Sequence, residues 1–269
     1  MPESPPQDPY VFDRTWAREH ERLTALEQVY DGASTERLAA LGVAPGWACL
    51  EVGCGAGSVA RWLADRVGPT GHVLATDLDP RFAGDRGPAQ LTVRRHDLLA
   101  DPLPAGAFDL VHARALLEHL PQRDEALRRL VAAARPGGWV VVEDFDIEGP
   151  MGEAVARYWP ADHRLPAERL YRALTAAFAA AGADPGYGRR LPDALAGAGL
   201  TEVGARVHGP LVGGAGGFLP LTLRQLRAPL LATGLITGPQ LDELIGVLDR
   251  PQARYLPNLM VTAWGRRPH

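Results

Sequence analysis

The sequence is short of several residue types, and each shortage excludes a class of protein or site. Only two cysteines occur, Cys49 and Cys54, too few for a disulfide framework or a cysteine-based zinc site. Lysine is absent, and asparagine occurs once, at Asn258. The net charge of −4 lacks the positive field that binding to a phosphate backbone requires. Nucleic acid is therefore not expected as a partner.

Long apolar runs are also missing. Each one is broken by glycine, proline or arginine well before the roughly 20 residues that span a bilayer, so no membrane segment is predicted. Residues 1–13 are rich in proline and acidic residues and do not resemble a secretory signal, which indicates a cytoplasmic protein. With 269 residues and 46% hydrophobic content, the chain is large enough for one substantial core.

Short apolar runs alternate with helical stretches through the middle of the chain. The runs are largely unalternated, as is typical of parallel strands that are covered on both faces. Seven strands are predicted, at Cys49–Val52, His72–Asp77, Leu91–His96, Phe108–His112, Trp139–Phe145, Thr201–Val207 and Leu259–Trp264. This alternation favours an α/β fold, a doubly wound and mostly parallel sheet of seven strands.

Helical patterns flank and interrupt this sheet. Two helices are predicted near the start, over Phe12–Tyr30 and from an N-cap at Ser34 or Thr35 to Leu41. We therefore divide the chain into an N-terminal helical segment (1–45), a sheet core (46–146), a helical lid over the strand ends (147–190) and a C-terminal part that completes the sheet (191–269).

The turn after the first strand carries the most specific motif. Gly53, Gly55 and Gly57 alternate there, and glycine allows both a sharp turn and a close approach to a ligand. A nicotinamide dinucleotide site would require a further glycine at Ser58. Glu51 precedes the glycines inside an apolar strand, where an acid needs a dedicated polar partner unless it is solvated.

This E-x-G-x-G-x-G pattern resembles the first motif of class I, Rossmann-like S-adenosylmethionine-dependent methyltransferases. The resemblance extends over most of residues 46–146 and includes the fourth strand and the Arg-Pro-Gly-Gly segment at 135–138. It implies that the three glycines lie against the methionine part of the cofactor and that Glu51 orients their loop. S-adenosylmethionine is therefore the expected cofactor.

Three further strand ends supply the other expected cofactor contacts. Asp77 ends the second strand beside the glycine turn, where a carboxylate accepts hydrogen bonds from a ribose diol; capping of the next helix is its alternative role. The resemblance implies that Leu78 packs on adenine, and that Asp97 and the backbone of Leu98 bind its polar edge. Arg114, at the end of the fourth strand, completes this set.

Methyl transfer from a sulfonium is an in-line displacement, so alignment supplies much of the rate and no metal is expected. Removal of a proton from the acceptor suits a histidine, and His119 after the fourth strand is the first candidate, with simple packing as its alternative. Asp144 and Asp146 close the fifth strand. Either is a candidate to orient His119 or to take the proton, and solvation or pairing with Arg114 is the alternative.

Aromatic side chains of the lid and the N-terminal segment are the expected wall of the acceptor pocket, since such surfaces bind flat organic molecules. These residues are Tyr10, Trp16, Tyr158, Trp159, His163 and Tyr171, although aromatics at helical spacing otherwise belong to a core. Phe12 lies between the first two.

The sequence thus predicts methylation of a small organic metabolite, with a preference for aromatic or heteroaromatic acceptors. The resemblance also implies a place in specialised metabolism, and the absence of lysine beside abundant alanine, arginine, glycine and proline indicates a bacterial source. A cyclisation or rearrangement on the same fold, or cofactor binding without catalysis, is the alternative. The acceptor atom and the oligomeric state are left open.

Overall fold

The fold is seen in a computed structural model that describes residues 11–84, 87–214 and 217–269. The strands are β1 (Ala48–Val52), β2 (His72–Asp77), β3 (Leu91–Arg95), β4 (Phe108–Arg114), β5 (Ala134–Asp146), β6 (Thr201–His208), β7 (Val212–Gly213), β8 (Arg254–Tyr255) and β9 (Leu259–Arg266). The helices are α1 (Glu19–Ala40), α2 (Ser58–Val67), α3 (Arg123–Ala133), α4 (Pro150–Ala156), α5 (Arg164–Ala180), α6 (Tyr187–Gly197), α7 (Phe218–Gln225), α8 (Arg227–Ala232) and α9 (Gly238–Leu248).

Seven of these strands form one sheet in the order β3-β2-β1-β4-β5-β9-β6. Neighbouring strands from β3 through to β5 are parallel, and β9 runs antiparallel between β5 and β6. The predicted doubly wound, mostly parallel sheet is therefore confirmed. The strand order reverses between β1 and β4, and in open α/β sheets ligands bind at the carboxyl ends of the strands on either side of such a reversal.

Helices cover both faces of the sheet because successive residues of its central strands point to opposite sides. On one side Val140 of β5 packs with Leu127 of α3 and Leu191 of α6. On the other side Val141 packs with Leu63 of α2. This alternation fixes a three-layer core beneath the carboxyl ends of the strands.

A second apolar core lies beyond those ends. It combines α4 and α5 with α7, α8 and α9, and it meets the sheet at Phe145 and Met260, where β5 ends and β9 begins. The helical cap is thus built from two separate stretches of chain, 150–180 and 218–248. No helix among the described residues is long and apolar enough to cross a membrane.

The start of the chain differs from the prediction. One continuous helix, α1, replaces the two predicted helices, and neither Ser34 nor Thr35 caps a helix. The Thr35 hydroxyl donates to the carbonyl of Asp31, and the Ser34 hydroxyl lies 3.2 Å from the carbonyl of Tyr30. Both hydroxyls face the preceding turn, which lets serine and threonine lie inside a helix.

Candidate cofactor and acceptor site

A cavity of about 410 Å³ lies over the carboxyl ends of β1, β2, β4 and β5, between α1, α5 and α7. It has two parts. The part beside the glycine turn, here called the glycine half, is lined by Glu51, Gly53, Gly55, Asp77, Leu78, Asp97 and Leu98, among others. The other part, here called the apolar half, is lined mainly by Phe12, Leu26, His119, Phe145, Ile147, Leu174, Phe178, Phe218 and Leu219.

The glycine turn has a backbone that other residues adopt only with strain. Gly53, Gly55 and Gly57 have φ angles of 72°, 54° and 85°, all in the left-handed region. A Cβ added to Gly57 would lie 3.2 Å from Ala83. Gly53 and Gly55 line the cavity. Gly57 does not line it and lies at the end of the turn, directly before the first residue of α2.

Asp77 is held in place by the turn that it faces. Its Oδ2 atom accepts a hydrogen bond from the backbone N–H of Gly55 at 3.0 Å, and Oδ1 accepts one from that of Asp79 at 2.9 Å. A carboxylate has about four acceptor positions, so capacity remains for a ligand hydroxyl. Its alternative role as a helix cap is not observed, because Asp79 precedes the short helix Pro80–Phe82.

Asp97 and Leu98 lie on the same wall of the cavity as Leu78. The Asp97 carboxylate accepts a hydrogen bond from the backbone N–H of Leu99 at 2.8 Å, which fixes the turn after β3. The Leu98 side chain is buried. The glycine half thus offers an apolar slot with an acidic group at its edge.

The dedicated partner of Glu51 is His112, which the sequence analysis did not identify. The imidazole Nδ1 of His112 lies 2.6 Å from Glu51, and its Nε2 lies 3.7 Å from Glu143; all three side chains are buried. Burial lowers the pKa of His112, but the charge of Glu51, its hydrogen bond to the imidazole and the nearby Glu143 raise that pKa to about 9. Burial raises the pKa of the Glu51 carboxyl, an effect that His112 opposes.

Glu143 is the stronger acid of this group. Burial raises its pKa, but the neighbouring His112, with smaller contributions from the charge of Arg114 and the hydrogen bond of Ser34, lowers it to about 2. Its carboxylate also accepts hydrogen bonds from the hydroxyls of Ser34 and Thr262. His112 is therefore a buried cation between two glutamates, directly beneath the glycine turn.

Helix α1 is tied to the glycine turn by polar contacts. Arg114 donates to Ser34 at 2.9 Å and to Asp31 at 2.8 Å. Asp31 accepts a further bond from the Ser58 hydroxyl, and the backbone N–H of Ser58 donates to Glu27 at 3.0 Å. Arg114 lines the cavity, and its guanidinium bonds to α1; the predicted contact with the cofactor stays a prediction.

His119 lies on the wall of the apolar half, and its role as a base stays a prediction. Its ring packs against the rings of Phe12 and Phe178, with centroid distances of 5.7 and 5.6 Å. Burial, together with the positive charge of Arg22, lowers the pKa of His119 to about 3. The imidazole is therefore neutral at pH 7.

Asp144 does not reach the cavity wall, in contrast to its predicted role. Its carboxylate accepts a hydrogen bond from the backbone N–H of Leu116 at 3.0 Å, beside Glu118, which does line the cavity. Burial raises the pKa of Asp144 to about 8, and burial with the neighbouring Asp144 raises that of Glu118 well above its ordinary value. Asp144 is therefore mainly protonated at pH 7, and Glu118 resists ionisation beside it.

Asp146 also lies away from the cavity. Its carboxylate pairs with the guanidinium of Arg189 on α6, with N–O distances of 2.7 and 3.1 Å. Its predicted contact with His119 is not formed because the end of β5 turns this side chain toward α6.

The predicted aromatic wall is replaced by a different one. Trp159 and Tyr171 are buried in the cap core, where Trp159 packs on Tyr255 and the Tyr171 hydroxyl donates to the carbonyl of Pro257. Tyr158 is exposed, His163 lies 3.4 Å from Glu243, and Trp16 packs outside the cavity against the cap core.

Tyr10 lies outside the described residues. The preference for aromatic acceptors therefore has no support from the described lid aromatics. The aromatic residues that do line the apolar half are Phe12, Phe145, Phe178 and Phe218. Phe12 and Phe145 follow sequence signals, the N-terminal aromatic cluster and the end of the fifth strand, whereas Phe178 and Phe218 depend on how the cap helices dock.

Comparison with known proteins agrees with this site. The family model described as a methyltransferase domain matches residues 50–140. Methyltransferase str2 of Strobilurus tenacellus is 30% identical over 211 residues, which are 76% of this chain and 71% of that protein. Nocamycin O-methyltransferase of Saccharothrix syringae is 33% identical over 122 residues, which are 43% of this chain and 42% of that protein. The chain spans about half the length of two further curated relatives.

Among solved structures, a phosphoethanolamine N-methyltransferase from Haemonchus contortus in complex with S-adenosyl-L-methionine has a TM-score of 0.56 at 15% identity. The match covers 94% of this chain and 59% of that chain. This likeness shows the fold, and the relative that matches over most of both chains shows the family. With the glycine turn, the acidic strand ends and this sheet order, the chain belongs to the class I, Rossmann-like S-adenosylmethionine-dependent methyltransferases.

Proposed function

We propose that this protein transfers the methyl group of S-adenosylmethionine to a small organic metabolite bound in the apolar half of the cavity. The observation that carries this proposal is that one continuous cavity joins the glycine turn to the apolar chamber beside His119. Two reactants in one enclosed space are held in the proximity and alignment on which an in-line displacement depends.

The residues of the glycine half fit this cofactor. Asp77 retains acceptor capacity for a ribose diol, and Leu78 and Leu98 offer apolar surface for adenine. The backbone of Gly53 and Gly55 approaches the cavity without side chains, which suits the methionine portion. When bound, the cofactor supplies an electrophilic methyl group on a sulfonium.

The apolar half supplies the acceptor side. Its phenylalanine and leucine side chains exclude water, which strengthens the electrostatic interactions made there. His119, held neutral by burial, accepts a hydrogen bond from the acceptor and orients it. One relative is named for O-methylation of nocamycin, and we place the acceptor of this protein in the same broad class, an organic compound of specialised metabolism.

Calorimetric binding is the first test. Wild-type protein is titrated with S-adenosylmethionine and S-adenosylhomocysteine, with NADH as a control ligand. Asp77→Ala weakens binding of both sulfur ligands by about 1–3 kcal/mol, because a buried hydrogen-bonding group loses its partner. The exposed Asp65 of α2 provides the matched control, Asp65→Ala, which leaves affinity unchanged.

Turnover is tested with a panel of organic acceptors by release of S-adenosylhomocysteine and by product mass. A gain of one methylene unit identifies methyl transfer, and an unchanged mass identifies a rearrangement. Folded wild-type protein that binds neither sulfur ligand contradicts the proposal.

A further inference from the structure

Two buried polar side chains line the cavity without a hydrogen-bond partner among the described residues. Thr222 on α7 is 4% exposed, and Asn258, just before β9, is 6% exposed. The Thr222 hydroxyl and the Asn258 side-chain oxygen Oδ1 are both enclosed and unpartnered in the described part of the chain. Buried polar atoms in folded proteins are nearly always hydrogen-bonded, so an unpaired pair on a cavity wall indicates a ligand.

Tyr30 contacts the backbone of Asn258 and the helix that carries Thr222. Its hydroxyl donates to the backbone carbonyl of Asn258 at 3.1 Å, and its ring packs edge-on against Phe145 and Phe218, with centroid distances of 5.3 and 6.1 Å. Phe218 is four residues before Thr222 on α7, so the two lie on one face of that helix. Both polar groups are thus framed by aromatic rings.

The ionisable groups of this half include a compensated pair. Arg22 and Glu19 are both buried and form two hydrogen bonds with each other, at 2.8 and 2.6 Å. Burial and Arg22 lower the pKa of His119 to about 3, so its imidazole is neutral. Burial and Asp144 raise the pKa of Glu118 well above its ordinary value. A charged acceptor would lose its hydration among the apolar side chains of this half.

We propose that Thr222 and Asn258 bind a hydroxyl group of a neutral and otherwise apolar acceptor, which makes them the specificity-determining residues of the site. A hydroxyl donates to Oδ1 of Asn258 and accepts from the hydroxyl of Thr222, so both buried atoms gain a partner. A carboxylate presents only acceptor atoms, so it leaves Oδ1 of Asn258 without a partner and places a charge in apolar surroundings. This assignment rests on the proposed function.

Fluorine NMR with three matched probes tests the assignment. The probes are para-fluorophenol, para-fluorotoluene and para-fluorobenzoate, each titrated into protein that is loaded with S-adenosylhomocysteine. The phenol binds more tightly than the toluene by about fivefold or more, the value of one net hydrogen bond, and the benzoate does not bind. Thr222→Val and Asn258→Leu each reduce this preference toward parity.

Three further variants serve as controls. Thr222→Ser keeps the hydroxyl and therefore keeps the preference for the phenol. Thr233→Val makes the same change of side chain outside the cavity wall, at a hydroxyl that bonds to Leu230, and leaves the affinities for all three probes unchanged. Asn258→Gln keeps the carboxamide but moves it, and reduces the preference less than leucine does.

Equal affinities for the phenol and the toluene overturn the assignment. A preference for the phenol that survives both Thr222→Val and Asn258→Leu also overturns it, and so does the absence of binding by either neutral probe. Binding of S-adenosylhomocysteine is measured first in every variant. If the wild type does not bind S-adenosylhomocysteine, the proposed function itself is refuted. If it binds S-adenosylhomocysteine but does not prefer the phenol over the toluene, only the role of Thr222 and Asn258 is refuted.

Discussion

Replacement of His112 by leucine tests the buried charge beneath the glycine turn. His112→Leu removes a cation that lies 2.6 Å from Glu51 and 3.7 Å from Glu143, and it leaves two buried acids facing each other. Loss of one member of a buried ion pair costs about 3–5 kcal/mol of unfolding free energy. Because one glutamate can take up a proton instead, we expect the lower end of this range, about 3 kcal/mol.

The same contribution follows from the pH dependence. The pKa of His112 is raised to about 9 from an ordinary value of about 6.5, which corresponds to about 3 kcal/mol. This stabilisation is fully present below about pH 6.5 and is lost as the pH rises through 9, because the unfolded chain no longer holds the proton there. Glu143, with a pKa of about 2, instead stabilises the fold above its unfolded pKa and loses that effect as the pH falls through 2.

Urea unfolding of wild type and His112→Leu from about pH 6 to 10 measures this difference. The two free energies differ by about 3 kcal/mol near neutral pH and converge above about pH 9. The exposed His72 at the start of β2 gives a matched control, His72→Leu, which stays within about 0.5 kcal/mol of wild type. A difference below about 1 kcal/mol at neutral pH, or one that persists unchanged above pH 9, refutes a charged His112.

Three other changes probe the turn, the candidate base and the cap. Gly57→Ala lowers the free energy of unfolding by about 1–2 kcal/mol because its φ is 85°. The control Gly246→Ala in α9, with open space around it, does not lower the stability. Thermal unfolding compares the two variants, and equal effects would contradict backbone strain at Gly57. His119→Ala lowers the rate of single-turnover methyl transfer by about 10²-fold or more without weakening cofactor binding. The control Asp146→Asn leaves that rate nearly unchanged. Similar rates in the two variants would contradict a role for His119. Tyr171→Phe lowers the free energy of unfolding by about 1 kcal/mol because a buried hydrogen bond is lost. The affinity for the cofactor, measured by calorimetry, stays unchanged. A weakened affinity would place Tyr171 in the binding site.

The sheet and the glycine turn were predictable because their signals are local. A parallel strand covered on both faces needs a short apolar run, and a turn with φ above zero needs glycine. The position of Asp77 on the cavity wall follows from topology, since the carboxyl ends of neighbouring parallel strands share one edge. These features depend on few contacts distant in sequence.

The acceptor wall was not predictable from helical spacing alone. Tyr171 and Phe178 are both buried on α5, but Tyr171 points into the cap core and Phe178 lines the cavity. Aromatic periodicity shows that a helix face is buried, and not which neighbour buries it. That neighbour includes α7, which follows much later in the chain.

The acids at the end of β5 show the same limit in a different form. Sequence places Asp144 and Asp146 together, but their partners, Glu118 and Arg189, come from separate parts of the chain. Arg189 lies on α6, a helix that crosses the boundary predicted between the lid and the C-terminal part. The pairing of a charged side chain therefore depends on packing that a local pattern does not contain.

The carboxylate of Glu27 has a consequence for which nucleotides the fold accepts. The first turn of a helix after a glycine-rich loop attracts anions, and dinucleotide-binding folds place a pyrophosphate there. In this protein the backbone N–H of Ser58, the first residue of α2, already donates to Glu27 from α1. A pyrophosphate would have to displace that bound carboxylate and withstand its negative charge. We therefore expect helix α1 to disfavour phosphorylated dinucleotides at this turn, whereas a nucleoside without phosphate does not compete with Glu27.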